Sequence, residues 1–191
     1  MIRAFIAIEL KNNLTIENIN SFSSRLKQNQ TKIKLVKPEN LHMTVKFLGN
    51  ISESLASQIY NSLNSEINED MFKGKTFNYK LTGVGQFRKF SVIWVKLIGD
   101  IPFLQQVKIS IENILFERMS IPRDKRLRFV PHLTIGRLKE GKINYQTFSA
   151  LKNLINENKN LEFGPFTINQ VKLKKSDLTP KGPIYSDLVY K

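Results

Sequence analysis

The stretch Lys37-Pro38-Glu39-Asn40-Leu41-His42-Met43-Thr44-Val45-Lys46-Phe47-Leu48-Gly49 reads as a turn, a strand and a stop. Pro38 and Asn40 are turn-forming, residues 41–48 carry the apolar content of a strand, and Gly49 punctuates its end. Side chains two apart on a strand share a face, so His42 and Thr44 project together while Met43 and Val45 pack beneath them. The unit recurs as His132-Leu133-Thr134-Ile135, inside a strand expected over residues 129–138 with Pro131 near its start, where a missing N–H is tolerated. These are the only two histidines in the chain. With so few threonines, Thr two places after both would arise by chance roughly once in 400.

Working outward, residues 2–10 read as a buried strand, and Leu14, Ile19, Phe22 and Leu26 give a helix. Residues 33–36 form a short strand, and Ser52 N-caps a helix striped by Leu55, Ile59, Leu63 and Ile67. Two strands, 77–87 and 91–98, flank the basic turn Arg88-Lys89, and the helix after them buries Phe103, Leu104, Val107, Ile111, Ile114 and Leu115. A fourth helix carries Phe148, Leu151, Leu154 and Ile155, and strands over 166–173 and 184–190 close the chain around Thr179-Pro180-Lys181-Gly182-Pro183. Hairpins and short turns with interleaved helices predict an α+β fold of mostly antiparallel strands.

Thirty Lys and Arg against sixteen Asp and Glu leave a net charge of +14 on 191 residues, which points to a polyanionic partner, nucleic acid first, over a merely solvated basic surface. A hydrophobic content of 41% supports a real core. The absence of cysteine excludes disulfides, thiolate nucleophiles and Cys-based zinc sites. The opening apolar run is cut by Glu9 and is too short for a signal segment, and no stretch approaches a membrane span, so a cytoplasmic protein is expected.

Two imidazoles, each with a hydroxyl beside it, suit phosphodiester cleavage, in which one histidine takes a proton from the attacking oxygen and the other gives one to the leaving oxygen. Thr44 and Thr134 can then hydrogen-bond the non-bridging phosphate oxygens. The competing reading, two ordinary half-buried strand histidines, does not explain the repeat. A metal site is disfavoured because no Cys, His-Glu-x-x-His or Asp-rich loop accompanies the histidines. Gly83-Val84-Gly85 lacks the Lys-Ser/Thr of a phosphate loop and reads as strand punctuation. No cofactor is expected.

Residues 3–9, the block 37–49, Val130-Pro131-His132-Leu133-Thr134-Ile135-Gly136-Arg137 and the segment 175–185 together resemble the two-histidine (2H) phosphoesterase superfamily, most closely its RNA 2′,3′-cyclic phosphodiesterase (2′-5′ RNA ligase-like) branch. The resemblance runs nearly end to end. It implies one bilobed domain over residues 1–191, with two pseudo-symmetric lobes, each an antiparallel sheet backed by helices, around a central cleft. It also implies His42 as proton donor to the leaving 3′ oxygen, His132 as the base that activates water, and a 2′-phosphomonoester product. Phe47 and Arg137, five residues after each histidine, occupy positions used around the nucleotide. Simple alternation puts both on the opposite face from the histidines, so either the strands bulge or these residues are core and surface. The expected partner is RNA with a 2′,3′-cyclic phosphate end, met by a monomer. Reversible 2′-5′ joining of RNA ends, and binding of such ends without turnover, remain open.

Overall fold

The computed structural model describes residues 1–125, 129–180 and 182–190. Among the described residues, nine strands and four α-helices follow one another as β1 (Ile2–Glu9), α1 (Asn13–Asn29), β2 (Lys34–Leu35), β3 (His42–Ile51), α2 (Glu53–Ser62), β4 (Phe77–Phe87), β5 (Val92–Ile98), α3 (Ile101–Met119), β6 (His132–Arg137), α4 (Phe148–Glu157), β7 (Glu162–Ile168), β8 (Lys172–Thr179) and β9 (Gly182–Asp187). Every strand pairing is antiparallel, which makes the fold α+β as the turn pattern predicts.

The strand order β7-β4-β5-β6-β3-β1-β8-β9 is symmetric about its middle. Four strands of this path lie on either side of its midpoint, β2 pairs with β6 off the path, and a single directly opposed pair, Met43 and Leu133, joins β3 to β6. The two histidine strands are therefore the innermost strands, back to back across the pseudo-twofold. The helices exchange halves: α1 follows β1 but packs on β7, β6 and α4, while α3 follows β5 but packs beside α2. This swap stitches the halves together through their cores. Beneath the histidine strands, Met43, Val45, Leu133 and Ile135 are buried, as alternation requires.

Local chemistry sets the helix ends. Asn12 accepts from the Thr15 amide and caps α1, Ser52 does the same for α2 through Leu55, and Asp100 caps α3 through Phe103. The stripe on α2 continues into a π-helical segment, Leu63–Phe72, that ends at Lys73 in the left-handed region. Leu14 departs from expectation, since it is exposed while Thr15 turns inward and donates to the Pro165 carbonyl.

The strand expected over 166–173 is two strands. Asn169 and Gln170 break the run, and the chain crosses from the β4 edge to β1 on the other half. The Asn68 side chain acts as the missing ladder at this crossing, donating to the Val171 carbonyl at 3.1 Å and accepting from its amide at 2.8 Å. The strand expected over 129–138 is shorter, His132–Arg137. The closing hairpin is β8–β9, and Lys181 in its turn lies outside the described residues. Gly83 is skipped in the β4–β5 register with φ +71°, and a side chain on Gly85 would collide with the Trp94 ring at 2.3 Å, so these glycines shape a strand, not a phosphate loop. Among the described residues, no helix is long and apolar enough to cross a membrane.

Candidate active site

His42 and His132 open β3 and β6 on the same face of the sheet, next to the single pair that joins the halves. Each imidazole is anchored in the same way. The carbonyl of Asn40 lies 2.6 Å from His42 Nδ1, and that of Val130 lies 2.7 Å from His132 Nδ1, both two residues upstream. A carbonyl oxygen only accepts, so Nδ1 carries a hydrogen in each ring and Nε2 is the nitrogen that titrates. Thr44 Oγ1 sits 3.0 Å from His42 Nε2, so hydroxyl and imidazole address the same point.

Aromatic walls hold both rings. His42 meets Phe5 at 5.1 Å and Tyr185 edge-on at 5.3 Å, while His132 meets Phe87 edge-on at 5.0 Å and Trp94 at 6.0 Å. None of these four was assigned a role by sequence, because each sits on a strand whose register against the histidine strands is set by tertiary pairing.

Phe47 and Arg137 are carried to the histidine face by matched bulges. In the β1–β3 ladder Ala7 faces Thr44 and Ile6 faces Lys46, so Val45 has no opposite residue. In the β5–β6 ladder Trp94 faces Thr134 and Ile93 faces Gly136, so Ile135 has none. The slip falls one residue after each threonine. Two consecutive residues then point inward, Val45 with Lys46 and Ile135 with Gly136, and the next residue returns to the cleft. Phe47, 65% exposed, and Arg137 line one cavity of about 650 Å³ together with Phe5, Arg3, Asn50 and Tyr185.

The same bulge sends Lys46 behind the sheet, where its ammonium donates to Glu112 at 2.7 Å, Asp124 at 3.3 Å and the Pro122 carbonyl at 2.9 Å. Lys108 joins both carboxylates. A second closed cluster lies on the cleft side: Lys172 and Lys174 each bind Glu9 and Asp187, and Glu9 stands opposite His42 in the β1–β3 register.

Burial pushes the His42 pKa below its ordinary value, and Lys174 and Arg137 push the same way; the Asn40 carbonyl and Glu9 oppose them without reversing the direction. Burial works to raise the Glu9 carboxyl, but hydrogen bonds from Lys172 and Lys174 outweigh it and leave it below the usual range. Burial raises the Tyr185 phenol. Among the described residues, no three His, Asp or Glu side chains converge on a point that could hold a metal ion.

This arrangement can bind an anion between two imidazoles and pass a proton at either side of it. Known proteins resemble this chain over its whole length. The chain is 34% identical over 192 residues to the RNA 2′,3′-cyclic phosphodiesterase of Methanothermobacter thermautotrophicus, covering 98% of this chain and 96% of that protein. It is 35% identical over 188 residues to the protein of the same name from Methanocaldococcus jannaschii, covering 96% of each. The fold matches E. coli LigT with a TM-score of 0.70 at 19% identity, over 98% of this chain and 95% of that one. The model of the AKAP7 2′5′ RNA ligase-like domain matches residues 4–186, so this chain belongs to that family of 2H phosphoesterases.

Proposed function

We propose that this protein hydrolyses the 2′,3′-cyclic phosphate at an RNA end, leaving a 2′-phosphomonoester. His132 Nε2 takes a proton from water as the water oxygen attacks phosphorus, the bond from phosphorus to O3′ breaks, and His42 Nε2 gives its proton to O3′. Thr44 and Thr134 donate hydrogen bonds to the non-bridging oxygens as charge builds on them. Phe47 offers a stacking face for the terminal base, and Arg137 offers a fork for phosphate or base. These side chains supply every proton transfer and phosphate contact, so the reaction needs no added divalent metal.

The observation that carries this reading is the anchoring of both imidazoles. Each Nδ1 is tied to a carbonyl two residues upstream, which supports the two Nε2 atoms as acid and base. The names of the archaeal relatives agree with it. Incubating the protein with a short RNA bearing a 2′,3′-cyclic phosphate, after exhaustive chelation, tests it. Appearance of a 2′-phosphomonoester is expected. A 3′-phosphate product, or turnover restored only by a metal, would refute it.

A further inference from the structure

The turn between β4 and β5 has a conformation that hydrolysis of one phosphate does not require. Arg88, Lys89 and Phe90 have φ of 50°, 53° and 67°, three successive non-glycine residues in the left-handed region. Glycine or asparagine would relieve that strain, yet two long cations occupy the first two positions. The turn is held in place: the Phe90 amide donates to Gln86 Oε1 at 2.9 Å, and the Leu138 amide donates to the Ser91 carbonyl at 3.1 Å.

Its position is the second observation. Phe87, at the foot of the turn, is the residue whose ring meets His132 edge-on. Val92, at the other foot, faces Arg137, and Arg137 faces Lys34 of β2, so directly opposed residues put Lys34 and Arg137 on the cleft face beside the turn. Arg88 and Lys89 are exposed. None of these four cations has a carboxylate partner among the described residues, whereas Lys46, Lys108, Lys172 and Lys174 are neutralised in closed clusters. Positive charge without a counter-charge thus begins beside His132 and runs outward over the turn.

We propose that the β4–β5 turn, with Lys34 and Arg137, is a track for the RNA backbone upstream of the reacting end, so that the substrate is a chain of several nucleotides gripped by its phosphates. This rests on the cyclic phosphodiesterase reading. Lys and Arg that meet phosphates grip without reading sequence, so the track is indifferent to base identity.

The test is the double variant Arg88→Gln/Lys89→Gln, compared with wild type on two substrates: an RNA of about ten nucleotides ending in a 2′,3′-cyclic phosphate, and 2′,3′-cyclic AMP. Each single-strand phosphate contact contributes roughly 0.7 to the slope of log affinity against log salt. Loss of two contacts should make that slope shallower by about 1.4 for the RNA, and lower its kcat/KM about tenfold at low salt. Activity on 2′,3′-cyclic AMP should not change. An unchanged RNA slope, or an equal loss on both substrates, would overturn the track. If wild type turned over neither substrate, the cyclic phosphodiesterase reading would fail by itself, and the salt dependence of RNA binding to wild type and variant would still decide the track.

Discussion

The carbonyl oxygen of Asn40 stands 2.6 Å from His42 Nδ1, and the side-chain amide of the same residue donates to the Pro183 carbonyl at 3.1 Å. One buried residue therefore orients the imidazole with its backbone and ties down the β8–β9 hairpin, which carries Tyr185, with its side chain. Asn40→Ala keeps the first bond and deletes the second. Stability should drop by about 1–3 kcal/mol, since the Pro183 carbonyl is left without its partner. The hairpin also walls the cavity, so KM for cyclic-phosphate RNA should rise more than kcat falls. Steady-state kinetics and urea denaturation check both parts, and a fall in kcat alone would mean that Asn40 acts only through His42.

The acid and base roles predict a bell-shaped pH profile with a particular asymmetry. Burial holds His42 below its ordinary value, so in the free protein it loses its proton below pH ~6.5, and the alkaline limb of kcat/KM should lie in that acidic range. A bound phosphate anion favours the charged ring, so the same limb in kcat should lie higher. An NMR titration that found His42 above pH ~6.5 in the free protein would contradict this. Linkage has the matching sign. The folded pKa lies below the unfolded one, so this contribution to stability is complete above pH ~6.5 and is lost as pH falls through the folded value.

Replacing either histidine with Ala should cost on the order of 10²–10⁴-fold in turnover. The loss in His42→Ala should shrink on an activated aryl phosphodiester, whose leaving group departs without protonation. Loss of the same factor on both substrates would remove the acid role from His42.

Thr44→Ala and Thr134→Ala should each lower kcat by a smaller factor, corresponding to one neutral hydrogen bond of roughly 0.5–1.5 kcal/mol. Melting temperatures should stay close to wild type. Damage equal to that of a histidine variant would assign the threonines a structural role.

Lys46→Met probes the back of the sheet. The Lys46 side chain is 1% exposed against Glu112 at 10%, so removing the cation leaves a buried carboxylate that keeps Lys108 and the Asp124 amide but loses one of its two cations. Breaking such a pair costs about 3–5 kcal/mol. Chemical denaturation should show that loss, and the double variant Lys46→Met/Glu112→Leu should recover part of it. No recovery would mean that Lys46 contributes through packing and not through charge.

Sequence by itself determined a good deal. The repeated His-x-Thr unit, the helix cap at Ser52, and the apolar periods of the strands are local facts, because hydrogen bonds within four residues and the alternation of a pleated chain do not depend on the rest of the fold. The same locality explains what the sequence leaves open. Strict alternation puts Lys46 beside His42 and Thr44, and Phe47 and Arg137 away from them; the bulges after Thr44 and Thr134 reverse both, and a bulge exists only against a partner strand. The break at Asn169 was hidden because its polar ladder comes from Asn68, 103 residues from Val171. The aromatic walls of Phe5, Tyr185, Phe87 and Trp94, the Asn40 tie and the Glu9 cluster were decided by tertiary structure alone. Which strands become neighbours, and in what register, is fixed by how the two halves bury their cores and exchange their helices, and no short window of sequence carries that information.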